Sequence, residues 1–376
     1  MKKFRFIYIS NTELKESGGG GSGVNSATFN RLKLQYYNLD YILIKQKIDL
    51  LSKFKSVLLK KIGVKRNYHH FSEKSLNNVK TSFDLKLQNL KKADFLFFHG
   101  FTPWIKIKPS KPYFCFNDGS FYTYLHTSNN PNEFSNKDTN RIFLHEKQWL
   151  ENAEKVFFRS NWALEQTKKA YNIKGENFLN VGVGGAIAIP KKDMHQGGRD
   201  FLFISTDFLS KGGQVVIEAF KKIKSQNSDA NLWIIGDNKG MDLKGTTGVN
   251  YLGFFNKNNP EQQKKLYEIF EKAFTLVYPT LKDINPLVVI ELSYFGCPII
   301  ASNKFAIPEY VIDGKTGFLI NDPRDVDEIA HLMNKVLKMS KTDYLKMRKN
   351  SREFGVGKNT WDKVVERIIV QINSNI

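Results

Sequence analysis

Two carboxylates, Asp283 and Glu291, stand eight positions apart in TLKDINPLVVIELSYFGCPIIAS, residues 280–302. The pattern predicts a tight turn, a helix opened by Pro286 and then a buried strand. Asp283 falls in the turn. Glu291 falls near the middle of the helix, among Leu287, Val288, Val289, Ile290 and Leu292. A carboxylate there is either the polar edge of an apolar helix or an acceptor for a ligand. Other reactive groups form no pattern. His69, His70, His99, His126 and His145 lack ligand spacing with cysteines or acids, so no zinc site is expected. Gly-x-Ser-x-Gly and a phosphate-binding P-loop are absent, which removes support for a serine hydrolase or a P-loop nucleotidase.

The elements around these residues alternate. FRFIYIS opens as a strand, followed by a Gly-rich loop and a helix from about Ser26. ADFLFF, YFCF and KVFFR read as short buried strands, and Asn161 to Tyr171 has helical periodicity. A polar connection, PKKDMHQGGRD, interrupts the pattern at residues 190–200. Beyond it FLFIS, NLWIIG, TLVYP and CPIIAS read as strands separated by helices. This grammar predicts an α/β chain of two doubly wound domains, residues 1–190 and 191–358, with ligand at the carboxyl ends of the strands and in the cleft between them.

At 376 residues the chain is long enough for two cores. No run reaches the roughly 20 apolar residues of a membrane span. MKKFRFIYIS is too short and polar for a signal-peptide core, and Cys115 and Cys297 lie in apolar runs, so a reducing, cytoplasmic setting is expected. The net charge of +20 is uneven: Lys45 to Lys92 holds 13 basic residues against three acids. Such a block suits an anionic partner.

Further residues bring a resemblance into view. Asp283-Ile284-Asn285-Pro286-Leu287…Glu291 resembles the acid–seven residues–acid motif of retaining nucleotide-sugar glycosyltransferases of the GT-B fold, glycosyltransferase family 4. Asp283 replaces the usual Glu. The continuation to Ile320 is similar to the family's Pro-Glu-x-Val-x-Asp-Gly-x-x-Gly segment, with Pro308, Glu309, Val311, Asp313, Gly314 and Gly317 in place. FLFISTDFLSKGGQVVIEAF resembles the first strand, loop and helix of the nucleotide domain, with Lys211 at the donor-phosphate lysine. Gly184 matches the glycine of the interdomain crossover, and residues 359–376 resemble the terminal helix that returns to brace the first domain. Two departures stand out: Thr206 occupies a common Arg position, and Phe305-Ala306 replaces a common Gly-Gly.

The resemblance implies two Rossmann-like domains facing across a cleft and a retaining sugar transfer that uses a nucleotide sugar as co-substrate, with neither cofactor nor metal. Glu291 would accept from the ribose hydroxyls. Residues 283–287 would place the diphosphate at a helix N-terminus, where unpaired N–H groups suit an anion. Asp283 would hold the transferred sugar and Lys211 the leaving diphosphate. In the first half, Ser22, Gly23 and Asn25 resemble the Gly-Gly loop after the first strand, with Asn25 on the acceptor side. Asp118 and Phe121 match an Asp-x-x-Phe pattern, with Asp118 on the sugar or the acceptor.

The remaining stretch, Lys45 to Arg66, sets Leu51, Phe54, Leu58 and Ile62 at helical spacing among lysines. The stripe is expected against the first domain's core, and the lysines toward an anionic membrane surface or acceptor. The sequence thus points to transfer onto a glycan, lipid-linked or other anionic acceptor in cell-surface polysaccharide or lipopolysaccharide-type synthesis, peripheral to the inner face of a membrane. An inactive GT-B scaffold is the alternative. Sparse aromatics within the basic block speak against a nucleic-acid partner.

Overall fold

A computed structural model describes residues 4–15, 20–86, 92–244 and 246–374. Gly18 and Gly19 of the GGGGSG run lie outside the described residues. Two compact units emerge. The first holds described residues 4–15, 21–182 and 364–374; the second holds residues 183–363. The division falls between Gly182 and Val183, a few residues ahead of the Pro190 boundary expected from composition, and again between Lys363 and Val364.

The first unit is a parallel sheet of β1 (Phe6–Ser10), β2 (Leu39–Leu43), β3 (Phe95–His99), β4 (Tyr113–Asn117), β5 (Lys155–Phe158) and β6 (Phe178–Asn180), ordered β2-β1-β3-β4-β5-β6. Its central strands are buried along nearly their whole length, as a parallel sheet covered on both faces requires. Aromatic rings fill the space above them: Tyr8 stacks on Phe97 at 5.2 Å, and Phe97 faces Phe157 at 6.4 Å. Helices α1 (Gly20–Gln35), α2 (Leu50–Lys61), α3 (Glu73–Lys86), α4 (Phe121–Ser128), α5 (Asn136–Glu151) and α6 (Asn161–Tyr171) connect the strands.

The second unit repeats the plan with β7 (Asp200–Ser205), β8 (Asn231–Gly236), β9 (Val249–Tyr251), β10 (Thr275–Tyr278), β11 (Ile299–Ser302) and β12 (Gly317–Ile320), ordered β12-β11-β10-β7-β8-β9. Its helices are α7 (Gly213–Lys224), α8 (Pro260–Lys272), α9 (Leu287–Tyr294), α10 (Val326–Leu337) and α11 (Lys341–Lys358). The expected α/β class, with two doubly wound sheets, is the one observed. Strand order reverses between β7 and β10, so the loops after these two strands meet at a topological switch point. A last helix, α12 (Trp361–Ser374), contributes residues from Val364 onward to the first unit. There Arg367 donates to the Val181 carbonyl at 2.7 Å and Tyr36 to Asn373 at 3.2 Å.

Two sequence expectations are corrected. The chain enters α1 at Gly20, so Ser22 and Gly23 lie in its first turn and not in a loop before Ser26. The helix is tied to the chain before it where the Lys15 N–H donates to Ser26 Oγ at 2.8 Å, and inside it Thr28 Oγ1 donates to the Val24 carbonyl at 2.8 Å. Glycine tolerates helical backbone at a modest cost once such contacts fix it. The second correction concerns α2. Leu51, Phe54, Leu58 and Ile62 do not face the core but stand exposed. The helix turns Ser52, Ser56 and Leu59 toward the domain instead. Asp49 fixes this orientation by accepting from the Ser52 N–H at 3.3 Å and from the Ser72 hydroxyl at 3.0 Å.

Candidate functional site

The switch point of the second unit is built by close backbone approach. After β7 the chain reaches Lys211 and then Gly212, whose φ of 79° is left-handed. A Cβ on Gly212 would lie 2.5 Å from the Pro279 carbonyl, so only glycine lets this loop rest on the loop after β10. The Leu281 N–H closes the contact on the Ser210 carbonyl at 3.1 Å. Lys211 is thereby delivered to Asp283: Nζ donates to Oδ2 at 2.8 Å and to the Lys282 carbonyl at 2.5 Å. Tyr278 adds its hydroxyl to the same Asp283 oxygen at 3.0 Å. Burial, and then the Asp283 charge, keep that phenol well above its ordinary pKa, so it acts as a donor.

Two helices open onto this turn. Neither α7, which follows Gly212, nor α9, which follows Pro286, has a side-chain cap on its first N–H groups. Their positive ends therefore remain available to an anion. Asn285 accepts from the Tyr310 hydroxyl at 2.6 Å, which ties the turn to the segment after β11. Ile284, Asn285 and Leu287 are half-buried, and Pro286 is buried. Near Thr206, Asp207 is held below the usual carboxylate range, first by the Ser210 hydroxyl and further by Lys211 and Lys282. Lys282 is thus a second cation close to the position where the resemblance expects Arg. Phe305, in place of a glycine, takes a glycine's backbone, with φ of 56°.

Glu291 lies on the inner part of α9 with its side chain only 2% exposed. One oxygen accepts from the Ala186 N–H at 3.0 Å, and the other accepts from Lys257 Nζ at 2.6 Å. The crossover segment approaches so closely that a Cβ on Gly185 would meet Glu291 Cγ at 2.9 Å. The Gly185 N–H donates to the Tyr294 hydroxyl at 2.8 Å. Gly184 is bare for a related reason: an added Cβ would sit 2.6 Å from the Trp361 nitrogen. The second unit brings Lys211 against Asp283 and, in a separate set of contacts, the crossover against Glu291, with Gly184 packed on Trp361. It adds Lys257, Tyr278 and Lys282, which sequence reasoning missed. Lys257 sits in an aperiodic loop, 34 positions from its partner, so no local signal marked it.

In the first unit, Asp118 follows β4 and Arg159 follows β5, with 3.7 Å between Asp118 Oδ2 and Arg159 Nη1. The guanidinium also lies over the Phe116 ring at 5.5 Å. Ser120, not Asp118, caps α4. The turn is fixed from below by Glu146, a fully buried carboxyl that accepts from the Phe121 N–H at 2.7 Å and from the Tyr171 and Thr102 hydroxyls at 2.6 Å each. Burial raises its pKa above the usual range. His99, at the end of β3, is buried too; desolvation, with Arg159's charge adding, pushes it down to about 3. Asn25 is fully buried and donates to the Thr12 carbonyl at 2.9 Å and the Tyr41 hydroxyl at 3.1 Å. It braces the loop after β1, and Ser22 and Gly23 are half-buried in α1. Among the described residues, no group of three or more His, Cys, Asp or Glu has metal-binding geometry, and no helix is long and apolar enough to cross a membrane.

Two parallel six-stranded α/β units with a polar cluster at the switch point of the second define the GT-B class. Solved structures agree in fold. Sucrose-phosphate synthase from Thermosynechococcus elongatus superposes with a TM-score of 0.70 at 15% identity, covering 98% of both chains. Anabaena HepE, solved in complex with UDP, gives 0.69 at 14% identity, covering 99% of this chain and all of that one. Residues 187–354 match the family described as glycosyl transferases group 1. A lipopolysaccharide 1,2-N-acetylglucosaminetransferase of Salmonella typhimurium is 24% identical over 177 residues, 44% of this chain and 45% of the relative. The chain spans less than two thirds of the length of the curated relatives it matches.

Proposed function

We propose that this protein is a retaining glycosyltransferase that moves a sugar from a UDP- or GDP-type donor to a glycan, lipid-linked or other anionic acceptor, in lipopolysaccharide or other cell-surface polysaccharide synthesis on the cytoplasmic side. The observation that carries the reading is the Lys211–Asp283 pair, set between two uncapped helix N-termini. The nature of the matched relative supports the pathway class.

In this reading the acceptor hydroxyl attacks the anomeric carbon as its bond to the diphosphate oxygen breaks, and the hydroxyl proton passes to that leaving oxygen. No side chain in a motif is placed as a covalent nucleophile, so attack from the departing face is favoured. Lys211 spends two of its three N–H donors on Lys282 and Asp283 and offers the third to phosphate. The ends of α7 and α9 meet the rest of the diphosphate charge, so no metal is invoked. Asp283 accepts from sugar hydroxyls and faces the positive charge that grows at the anomeric carbon. Glu291 accepts from the ribose once Lys257 yields an oxygen. Asp118 holds the sugar or acceptor in the first unit.

A thermal-shift screen with UDP, GDP and their sugars tests the reading, followed by donor-hydrolysis assays. Stabilisation and turnover with at least one donor are expected, with the product anomer read by NMR. Binding without turnover across the panel would instead favour an inactive scaffold, the alternative that Thr206 and Phe305 leave open.

A further inference from the structure

Among the described residues, nothing covers the outward face of α2. Leu51 and Phe54 are 75% and 71% exposed, and Leu50, Val57, Leu58 and Ile62 stand out beside them. Six large apolar side chains on one short helix and its C-cap far exceed the scattered exposure normal for a surface. With 3.6 residues per turn they form one continuous arc opposite Ser52, Ser56 and Leu59. Lys61 falls within the arc, Lys53 and Lys60 border one edge, and Lys55 borders the other. The helix carries no acid. Its nearest carboxylates are engaged elsewhere: Asp49 caps the helix, and Glu73 pairs with Lys106 at 3.0 Å and Arg141 at 2.9 Å. Among the described residues none of Lys53, Lys55, Lys60 and Lys61 has an acidic partner within ion-pair distance.

We infer that this face docks the protein on an anionic lipid bilayer, with α2 lying in the interface plane. The apolar arc enters the boundary between headgroups and acyl chains, while the lysines along both edges reach lipid phosphates. Charge selects this occupant. A second copy of the chain would bring the same lysines together across a two-fold axis, within a block that already carries 13 basic residues against three acids. A lipid surface instead supplies both the apolar phase and the counter-charge. The Asp49–Ser52 and Asp49–Ser72 contacts hold the helix in this orientation before docking, so little ordering remains to be done at the membrane.

Vesicle flotation tests the inference directly and requires no sugar donor. The wild-type chain should float with phosphatidylcholine vesicles containing about one-third phosphatidylglycerol, and about tenfold less with pure phosphatidylcholine. Phe54→Glu with Leu58→Glu should cut anionic binding about tenfold or more, while the melting temperature and the nucleotide-induced thermal shift stay near wild type. Replacing Lys53, Lys55, Lys60 and Lys61 by Gln should abolish the preference for anionic vesicles. A fluorophore on Phe54→Cys should shift to the blue on adding anionic vesicles, reporting entry of this ridge. Failure of the wild type to float at low salt, equal flotation of the double variant, or a lipid-independent dimer that the double variant dissociates would each overturn it.

Discussion

Lys211 Nζ and Asp283 Oδ2 are 2.8 Å apart, with the Tyr278 hydroxyl on the same oxygen. The group proposed to meet the leaving diphosphate and the group proposed to face the sugar therefore hold each other in place. Lys211→Met should lower kcat with the best donor by about 10²–10³-fold, the scale for removing one charge-stabilising donor. Asp283→Asn keeps the shape and loses the charge, and should reduce kcat more than donor KM. Steady-state kinetics on both variants check the assignment. An unchanged kcat in Lys211→Met would remove the lysine from the chemistry.

Glu291 and Lys257 make a second prediction with opposite signs in two measurements. Removing the ammonium with Lys257→Met leaves a nearly buried carboxylate held by the Ala186 N–H. Stability should fall by roughly 1–3 kcal/mol. Nucleotide affinity should rise several-fold, because the freed oxygen becomes available to a ribose hydroxyl. Glu291→Ala should weaken affinity. Calorimetry with UDP and GDP reads the second effect and urea melts the first; weaker nucleotide binding by Lys257→Met would show the lysine contacting the ligand rather than competing with it.

His99 gives the fold a pH dependence with a defined sign. The unfolded side chain titrates near 6.5, whereas the folded one is pushed down to about 3. As pH falls, the unfolded chain takes the proton first. The contribution of neutral His99 is complete above about pH 6.5 and is lost progressively toward pH 3, by up to roughly 1.4 kcal/mol per pH unit. His99→Gln should flatten that limb. Urea melts of both proteins from about pH 7 to 4 test it; parallel curves would rule out the neutral buried imidazole.

Gly184→Ala should destabilise the second unit by about 1–3 kcal/mol, since its Cβ would press on the Trp361 backbone and ring. Thermal melts measure it. Trp361→Leu in the same background should recover part of the loss by opening space for the ring contact.

The strands of the second unit were legible because buried parallel strands are nearly continuous apolar runs: FLFIS and TLVYP have few other readings. Asp283, Glu291 and Lys211 were legible through their register with a family motif, not through any local property. Periodicity was less informative at α2. It identified an apolar stripe, but an amphipathic helix has the same spacing whether its stripe meets protein or lipid; only the anchoring of Asp49 to Ser52 and Ser72 decides between them. The start of α1 is hidden because glycines signal a loop, while the helix they enter is tied down at Ser26 by the Lys15 N–H, a contact no local pattern marks. Lys257 was invisible because its meaning depends on a fold-level approach to Glu291.

The first unit contains residues from both early and late in the sequence, closed by Arg367 on the Val181 carbonyl and Asn373 on Tyr36. During synthesis its six strands leave the ribosome long before the segment that finishes it. The second unit, by contrast, is nearly contiguous and has its whole complement of strands by Ile320. The domain begun first is thus the one completed last. A fragment ending at Gly182 would expose the surface that α12 covers, and it would need that helix supplied in trans to reach its native stability.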